Sequence, residues 1–201
     1  MTEGVGFRRL RSNDEERHDE RRGQMRKVTF GGANSLDNYF ARRDDSVDWL
    51  KWGKEASALM TDYWKTIDTV VMGRRTYEVA TRKGASSSLF KGVKCYVFSR
   101  TLGGRARRGR GVEIVSADAA EFVSDLKKQE GRDICVMGGG LLAKSLFEAR
   151  LIDEVGLNIH PVLLGSGIPL FYEMNLQLDL ELLECRPFEN GCVYVSYRVK
   201  N

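Results

Sequence analysis

The stretch that most constrains the fold is Ile134-Cys135-Val136-Met137-Gly138-Gly139-Gly140, followed by Leu141-Leu142-Ala143-Lys144-Ser145-Leu146-Phe147. A short β-rich apolar run stops at glycines and restarts with helical spacing, the pattern of a buried strand, a tight turn and a helix N-terminus. Such a junction offers an anion unpaired helix N–H groups and the positive end of the macrodipole, and glycine removes the Cβ that would hold a phosphate away. The same glycines equally serve close packing of strand against helix, and this stretch alone leaves both readings open.

The pattern recurs. Thr69-Val70-Val71-Met72 is a second buried strand, broken by Gly73 and followed by Arg74-Arg75-Thr76-Tyr77-Glu78-Val79. Arginines at a helix start oppose the dipole, so they need a compensating reason; a bound phosphate supplies one, and an exposed basic first turn is the alternative. A third strand, Val93 to Phe98, ends in Ser99-Arg100-Thr101. Polar, anion-friendly residues thus fall at the carboxyl ends of strands, where open α/β sheets bind their ligands.

Before these, Val28, Phe30 and Ala33 mark a strand over Lys27 to Asn34 that ends in the turn-rich Ser35-Leu36-Asp37-Asn38, and Tyr39-Phe40-Ala41 returns briefly to apolar character. A helix is expected to begin at Ser46 to Trp49 and to present Leu50, Ala56, Leu59, Met60, Tyr63 and Trp64 on one face. Asp37, Asp48 and Glu55 lie on or near this loop and helix start, where carboxylates serve as caps, as surface charges or in a site. Further on come a strand at Val112 to Val115, a helix at Asp118 to Gln129 and a strand at Leu151 to Val162. Leu176 to Arg186 and Cys192 to Lys200 alternate in strand fashion about Glu189-Asn190-Gly191, an antiparallel hairpin. The order predicts an α/β domain with a mostly parallel central sheet, flanking helices and an antiparallel C-terminal hairpin.

Composition narrows the function classes. With 201 residues, 42% hydrophobic and 30% charged, the chain suits one soluble domain able to bury a core without disulfides. Residues 1–24 are charged and nearly devoid of apolar groups, which predicts a disordered tail ahead of a domain at 25–201. No apolar run approaches the roughly 20 residues that cross a bilayer, and no signal-like h-region is present, so a cytoplasmic protein without a membrane partner is expected. Cys95 and Cys135 sit in apolar runs, Cys185 and Cys192 flank the hairpin turn, and no pair has metal-finger or redox spacing; free thiols and no metal are expected. A net charge of +4 is too small to argue for nucleic acid, and the Gly103 to Gly111 glycine-arginine loop lacks the interleaved aromatics of an RNA-binding run. Residues 82–92 have the composition of a surface loop.

Taken together, the separate motifs resemble one family. Val71-Met72-Gly73-Arg74-Arg75-Thr76-Tyr77-Glu78 is similar to the strand-to-helix segment of dihydrofolate reductases that receives the NADPH phosphates. Val97-Phe98-Ser99-Arg100-Thr101 resembles their next nucleotide-binding turn, and Val136-Met137-Gly138-Gly139-Gly140 their glycine segment with its cis Gly-Gly peptide. Ser35-Leu36-Asp37-Asn38-Tyr39-Phe40-Ala41, Asp48-Trp49, and Leu151-Ile152-Asp153-Glu154 through His160-Pro161-Val162-Leu163-Leu164-Gly165-Ser166-Gly167-Ile168-Pro169-Leu170-Phe171 resemble the reductase domain of bacterial riboflavin biosynthesis, the RibD C-terminal family, and its stand-alone relatives. The likeness runs from about residue 26 to the end.

The resemblance implies a dihydrofolate reductase-like fold and an NADPH-dependent reductase. Gly73, Arg74, Arg75 and Thr76 would hold the pyrophosphate and the adenosine 2′-phosphate, with Ser99, Arg100 and Thr101 helping at the latter. Gly138, Gly139, Gly140, Leu141 and Leu142 would line the pyrophosphate and nicotinamide-ribose path. Arginines agree with a 2′-phosphate, where an NAD site wants an acidic residue on the ribose. Asp37 and Asp48 would border the substrate as catalytic candidates, with Glu55 competing for the place of the folate-binding helix carboxylate. The implied reaction is hydride transfer to a C=N or C=O group of a small pteridine-like, aminouracil-like or sugar-linked substrate, in a homodimer, as in the 5-amino-6-(5-phosphoribosylamino)uracil reductase. The alternative is a nucleotide-binding or assembly module of the same fold without turnover. Two departures stand out: Asp37-Asn38 replaces the family's usual Asp-Gly, and with only His18 and His160 there is no zinc deaminase half.

Overall fold

The computed structural model describes residues 25–82, 92–102, 111–138 and 140–200. The expected tail at 1–24, most of the 82–92 loop, the glycine-arginine loop at 103–110 and Gly139 lie outside the described residues. So does the cis Gly-Gly peptide implied by the resemblance, since both peptides of that triplet involve Gly139.

The chain runs β1 (Val28–Ser35), β2 (Tyr39–Ala41), α1 (Lys54–Thr66), β3 (Ile67–Gly73), α2 (Arg74–Arg82), β4 (Lys94–Phe98), β5 (Val112–Val115), α3 (Ala119–Lys127), β6 (Asp133–Met137), α4 (Gly140–Glu148), β7 (Glu154–His160), β8 (Ile168–Pro169), β9 (Leu180–Pro187) and β10 (Val193–Val199). Eight strands form one sheet in the order β5-β4-β3-β6-β1-β7-β10-β9, and β2 pairs with β8 in a small second sheet. The strands from β5 across to β7 are parallel, and β10 and β9 close the far edge antiparallel. The predicted α/β class and terminal hairpin are what the molecule adopts.

Parallel strands covered on both faces read as continuous apolar runs, and β3 and β6 are buried almost end to end. One face packs Val28, Phe30 and Val136 against Val123 and Leu126 of α3 and Leu142, Leu146 and Phe147 of α4. The opposite face packs Val70, Met72, Val97 and Cys135 against Tyr63 and Trp64 of α1 and Tyr77 of α2. Because side chains alternate along a strand, Thr29, Gly31 and Ala33 of β1 turn toward the α1 side.

Three boundaries differ from the sequence expectation. α1 begins at Lys54 after an extended Gly53, not at Ser46 to Trp49. The intervening residues are held in other bonds: Asp48 takes the Arg42 guanidinium at 2.7 Å, Trp49 sets its edge against the His160 ring at 5.3 Å, and the Lys51 amide donates to His160 Nδ1 at 3.1 Å. Asp118 is the N-cap of α3, accepting from the Ala120 and Glu121 amides at 2.9 and 3.0 Å, so the helix proper starts one residue later. β7 starts at Glu154 because Asp153 instead bridges the Val28 amide at 2.7 Å and the buried Lys127 ammonium at 2.6 Å. At the terminal hairpin Cys185 stands opposite Val195 rather than Cys192, and both are free thiols.

Candidate active site

The sheet order carries the three polar strand ends to one place. β4, β3 and β6 are neighbours, so Ser99 to Thr101, Gly73 to Thr76 and Gly138 leave adjacent parallel strands at their carboxyl ends. β1 lies beside β6 and β7 follows on its other side, which puts the reversal of strand order next to Gly138.

The cross-links between these ends are specific. The Arg74 guanidinium donates to Thr101 Oγ1 at 2.8 Å and to Glu78 at 2.7 Å, tying the start of α2 to the turn after β4. Arg75 donates to Asp45 at 2.9 Å and is otherwise exposed. The compensation that arginines at a helix start require is thus partly met inside the chain by Glu78 and Asp45, while each guanidinium keeps further N–H donors. Ser99 Oγ accepts from the Thr101 and Leu102 amides at 3.2 and 3.0 Å, which shapes the turn that displays Arg100. Beside it a cavity of about 550 Å³ is lined by Phe98, Ser99, Arg100, Ser116 and Asp118.

The glycines divide by role. A Cβ on Gly73 would meet nothing within 4 Å, so the backbone there is open to a ligand. Gly138 takes the left-handed φ of +58°, and a Cβ on it would stand 2.7 Å from Thr76 Oγ1, so strand β6 and helix α2 touch at that point. Gly140 serves packing: a Cβ there would overlap the Tyr172 ring. Leu141 is exposed, whereas the Leu142 side chain belongs to the core, which leaves only its backbone N–H for a ligand.

A second cavity, about 330 Å³, lies between α1 and the sheet and opens beside Thr76 and Gly138. Ala56, Leu59, Met60, Tyr63 and Trp64 of α1 form its roof, and Gly31 and Gly156 lie in its floor. Its polar groups include Thr29, Tyr63, Glu154, Asn158 and Ser196. Tyr63 hydrogen-bonds Thr29, and burial, then neighbouring Cys135, pushes its phenol well above the usual tyrosine range. Burial pushes the Cys135 thiol up to about 11, so it stays protonated at neutral pH.

None of the three candidate carboxylates, Asp37, Asp48 and Glu55, lines this cavity. Asp37 accepts from the Ser35 hydroxyl at 2.6 Å and from the Leu164 and Gly165 amides at 3.1 and 2.7 Å, bonds that hold its pKa below the usual carboxylate value. It pins the turn after β1 to the loop after β7. Asp48 is exposed and held by Arg42, which lowers its pKa. Glu55 accepts from the Glu189 amide at 2.9 Å at the tip of the terminal hairpin. Each is consumed by loop geometry, and the roof helix brings no carboxylate to the cavity.

A family model described as RibD C-terminal domain matches residues 26–194. The chain belongs to the RibD C-terminal domain family. YwjB of Bacillus subtilis strain 168, an uncharacterized protein, is 34% identical over 164 residues, covering 81% of this chain and 92% of YwjB. Among solved structures, a Shewanella sp. PV-4 protein named for riboflavin biosynthesis superposes with a TM-score of 0.74 at 24% identity, over 87% of this chain and 99% of its own. Dihydrofolate reductase from Enterococcus faecalis, solved with NADP(H), gives a TM-score of 0.61 at 20% identity, over 87% of this chain and 97% of its own. At these identities the two structures speak to the fold.

In this RibD C-terminal domain the cavity residues that sequence reasoning passed over are Thr29, Gly31, Glu154, Gly156 and Asn158. They sit on alternate positions of β1 and β7, paired in register as Thr29 with Glu154 and Gly31 with Gly156. The available signal was the interruption of two strand patterns by glycine, which marks a close backbone approach or a ligand. Beyond the cavity, His160 Nδ1 accepts from the Lys51 amide at 3.1 Å, and its Nε2 lies 3.3 Å from the side-chain nitrogen of Asn158. The segment leading into α1 is thereby fastened to the end of β7.

Proposed function

We propose that this RibD C-terminal domain is an NADPH-dependent reductase that transfers hydride to a C=N or C=O group of a small ring-containing substrate held between α1 and the sheet. The observation that carries this reading is the meeting of Thr76 and Gly138. These two residues terminate the row of anion-friendly strand ends and also line the cavity, so one ligand laid along the row reaches the other at that point. The residues fit the dinucleotide. Gly73 leaves room for close approach, the first turns of α2 and α4 carry no acidic side chain, and Arg100 and Ser99 border the larger cavity beside α3.

NADPH, when bound, supplies the hydride. The start of α2 offers N–H groups and the Arg74 and Arg75 guanidiniums to the pyrophosphate, and Arg100 offers charge to the 2′-phosphate. Gly138 keeps side-chain bulk away from the meeting point. The roof of α1 excludes water from the substrate; the Tyr63 phenol, held protonated by burial, is a hydrogen-bond donor there, and Glu154 is the one carboxylate among the described lining residues.

The test is a thermal shift with NADPH and NADH followed by absorbance at the nicotinamide band over pterins, aminouracils and small carbonyl compounds. At about 100 times the dissociation constant, NADPH should add roughly 2.7 kcal/mol of stability. No shift with either dinucleotide overturns the reading, and a shift without turnover leaves a nucleotide-binding module. A homodimer belongs to the same proposal, supported by β9, an edge strand exposed along nearly its whole length.

A further inference from the structure

The cavity under α1 has a charge composition that narrows what it admits. Among the described residues that line it there is no lysine and no arginine, and Glu154 is its one acidic side chain. The chain as a whole carries 32 basic and 28 acidic residues, so the absence of cations here is a property of the site and not of the composition. The Lys27 ammonium pairs with Glu154 at 2.8 Å, yet Lys27 lies outside the lining and is half exposed.

Shape adds to charge. Gly31 and Gly156 leave bare backbone as the floor, and Phe40, Trp52, Tyr63, Trp64 and Tyr194 supply aromatic surface. A slot with a flat floor and aromatic walls accommodates a planar ring. A phosphate entering it would lose its hydration with no cation among the described lining residues to replace the lost water, the nearby Lys27 ammonium being already paired with Glu154, whose carboxylate it would face at reduced dielectric. A ring bearing N–H donors gains at the same carboxylate.

We propose that the substrate is a flat, unphosphorylated heterocycle carrying an amino or amidine group, and that Glu154 is the residue that recognises its N–H donors. The proposal rests on the cavity being the reductase's substrate site, and it separates this chain from a reductase acting on a phosphoribosyl-bearing ring. Trp52 and Trp64 both line the cavity, so ligand entry is readable as quenching of tryptophan fluorescence, independently of turnover.

The experiment titrates the full chain, with and without saturating NADPH, with 2-aminoquinoline and 2-quinolone, and with 2-aminoquinolines bearing a hydroxymethyl or a phosphonomethyl group. The amine should bind about tenfold more tightly than the quinolone, and the phosphonate about tenfold more weakly than the alcohol. Glu154→Gln should abolish the preference for the amine and narrow the phosphonate penalty, with only the small loss in melting temperature that removing the partly exposed Lys27–Glu154 pair brings. The inference is overturned if no ligand quenches, if the phosphonate binds as well as the alcohol, or if the amine preference survives in Glu154→Gln. A missing NADPH thermal shift with quenching intact would instead remove the reductase reading and leave the ligand class standing.

Discussion

Gly31 of β1 stands opposite Gly156 of β7, so close that a Cβ on Gly31 would fall on the Gly156 carbonyl oxygen. The obstacle is backbone inside a parallel ladder, which cannot swing aside as a side chain can. Gly31→Ala should therefore cost roughly 3 kcal/mol of stability, the upper end for inserting one methyl group into a packed interior. At Gly156 the nearest atom to a Cβ is the Tyr194 hydroxyl oxygen at 3.2 Å, a side chain able to shift, and Gly156→Ala should cost less. Urea denaturation midpoints of the two variants measure the difference, and equal losses would count against a rigid floor.

Arg100 is exposed at the end of β4, and the turn that displays it is shaped by the Ser99 hydroxyl. If its charge meets the 2′-phosphate, Arg100→Ala should weaken NADPH binding about tenfold, close to 1.4 kcal/mol, and leave NADH binding unchanged. Titration of both dinucleotides decides it. An equal loss for the two would move Arg100 away from the 2′-phosphate.

His160 is fully buried and its pKa is lowered, first by burial and then by the Lys51 charge. Its folded pKa thus lies below the unfolded value of 6.5, so the unfolded chain binds the extra proton first as pH falls. The contribution to stability is complete above pH 6.5 and declines as the solution is acidified below it. Protonation would also put a proton on Nδ1, against the Lys51 N–H and beside the Cys192 thiol, with Trp49 and Asn158 as the other neighbours. Denaturation midpoints between pH 7.5 and 5 should fall in the native chain, and His160→Gln should flatten that slope. The lowered Asp37 and Asp48 titrate at more acid pH, outside this window.

Leu180, Leu182 and Leu183 are exposed on edge strand β9. Glu181, Glu184 and Arg186 share this strand, but an edge strand with three exposed leucines is still a template for a second strand. Leu182→Lys should convert a dimer to a monomer in sedimentation velocity without loss of the NADPH thermal shift. A native chain that already sediments as a monomer removes the dimer from the proposal.

The fold was legible because its signals are local: the apolar runs of β3 and β6, each cut by glycine, state strand, turn and helix in one short stretch, and that of β4 states strand and polar turn. The row of polar strand ends was legible for the same reason, since Arg74, Ser99 and Gly138 each follow their strand directly. The cavity under α1 was not. Thr29 and Glu154 are distant in sequence and meet only through the β1–β7 register, and no periodicity announces which of two parallel strands will lie side by side. The acidic residues were legible as loop carboxylates but not in their partners. Asp37 bonds to residues 127 and 128 positions away, and Glu55 to one 134 positions away. Helix periodicity also overran its start, because the bonds that Trp49 and Lys51 make to His160 compete with the first helical turn.

The tip of the terminal hairpin holds the start of the roof. Glu55 accepts from the Glu189 amide, Asn190 donates to the Lys51 carbonyl at 3.0 Å, and Ala56 packs against Phe188 and Cys192. The strand ends that would receive the dinucleotide all precede Gly140 in the chain, whereas the helix that roofs the cavity is fastened by residues 188–192. The roof of the cavity therefore depends on the hairpin tip, whereas the row of polar strand ends does not.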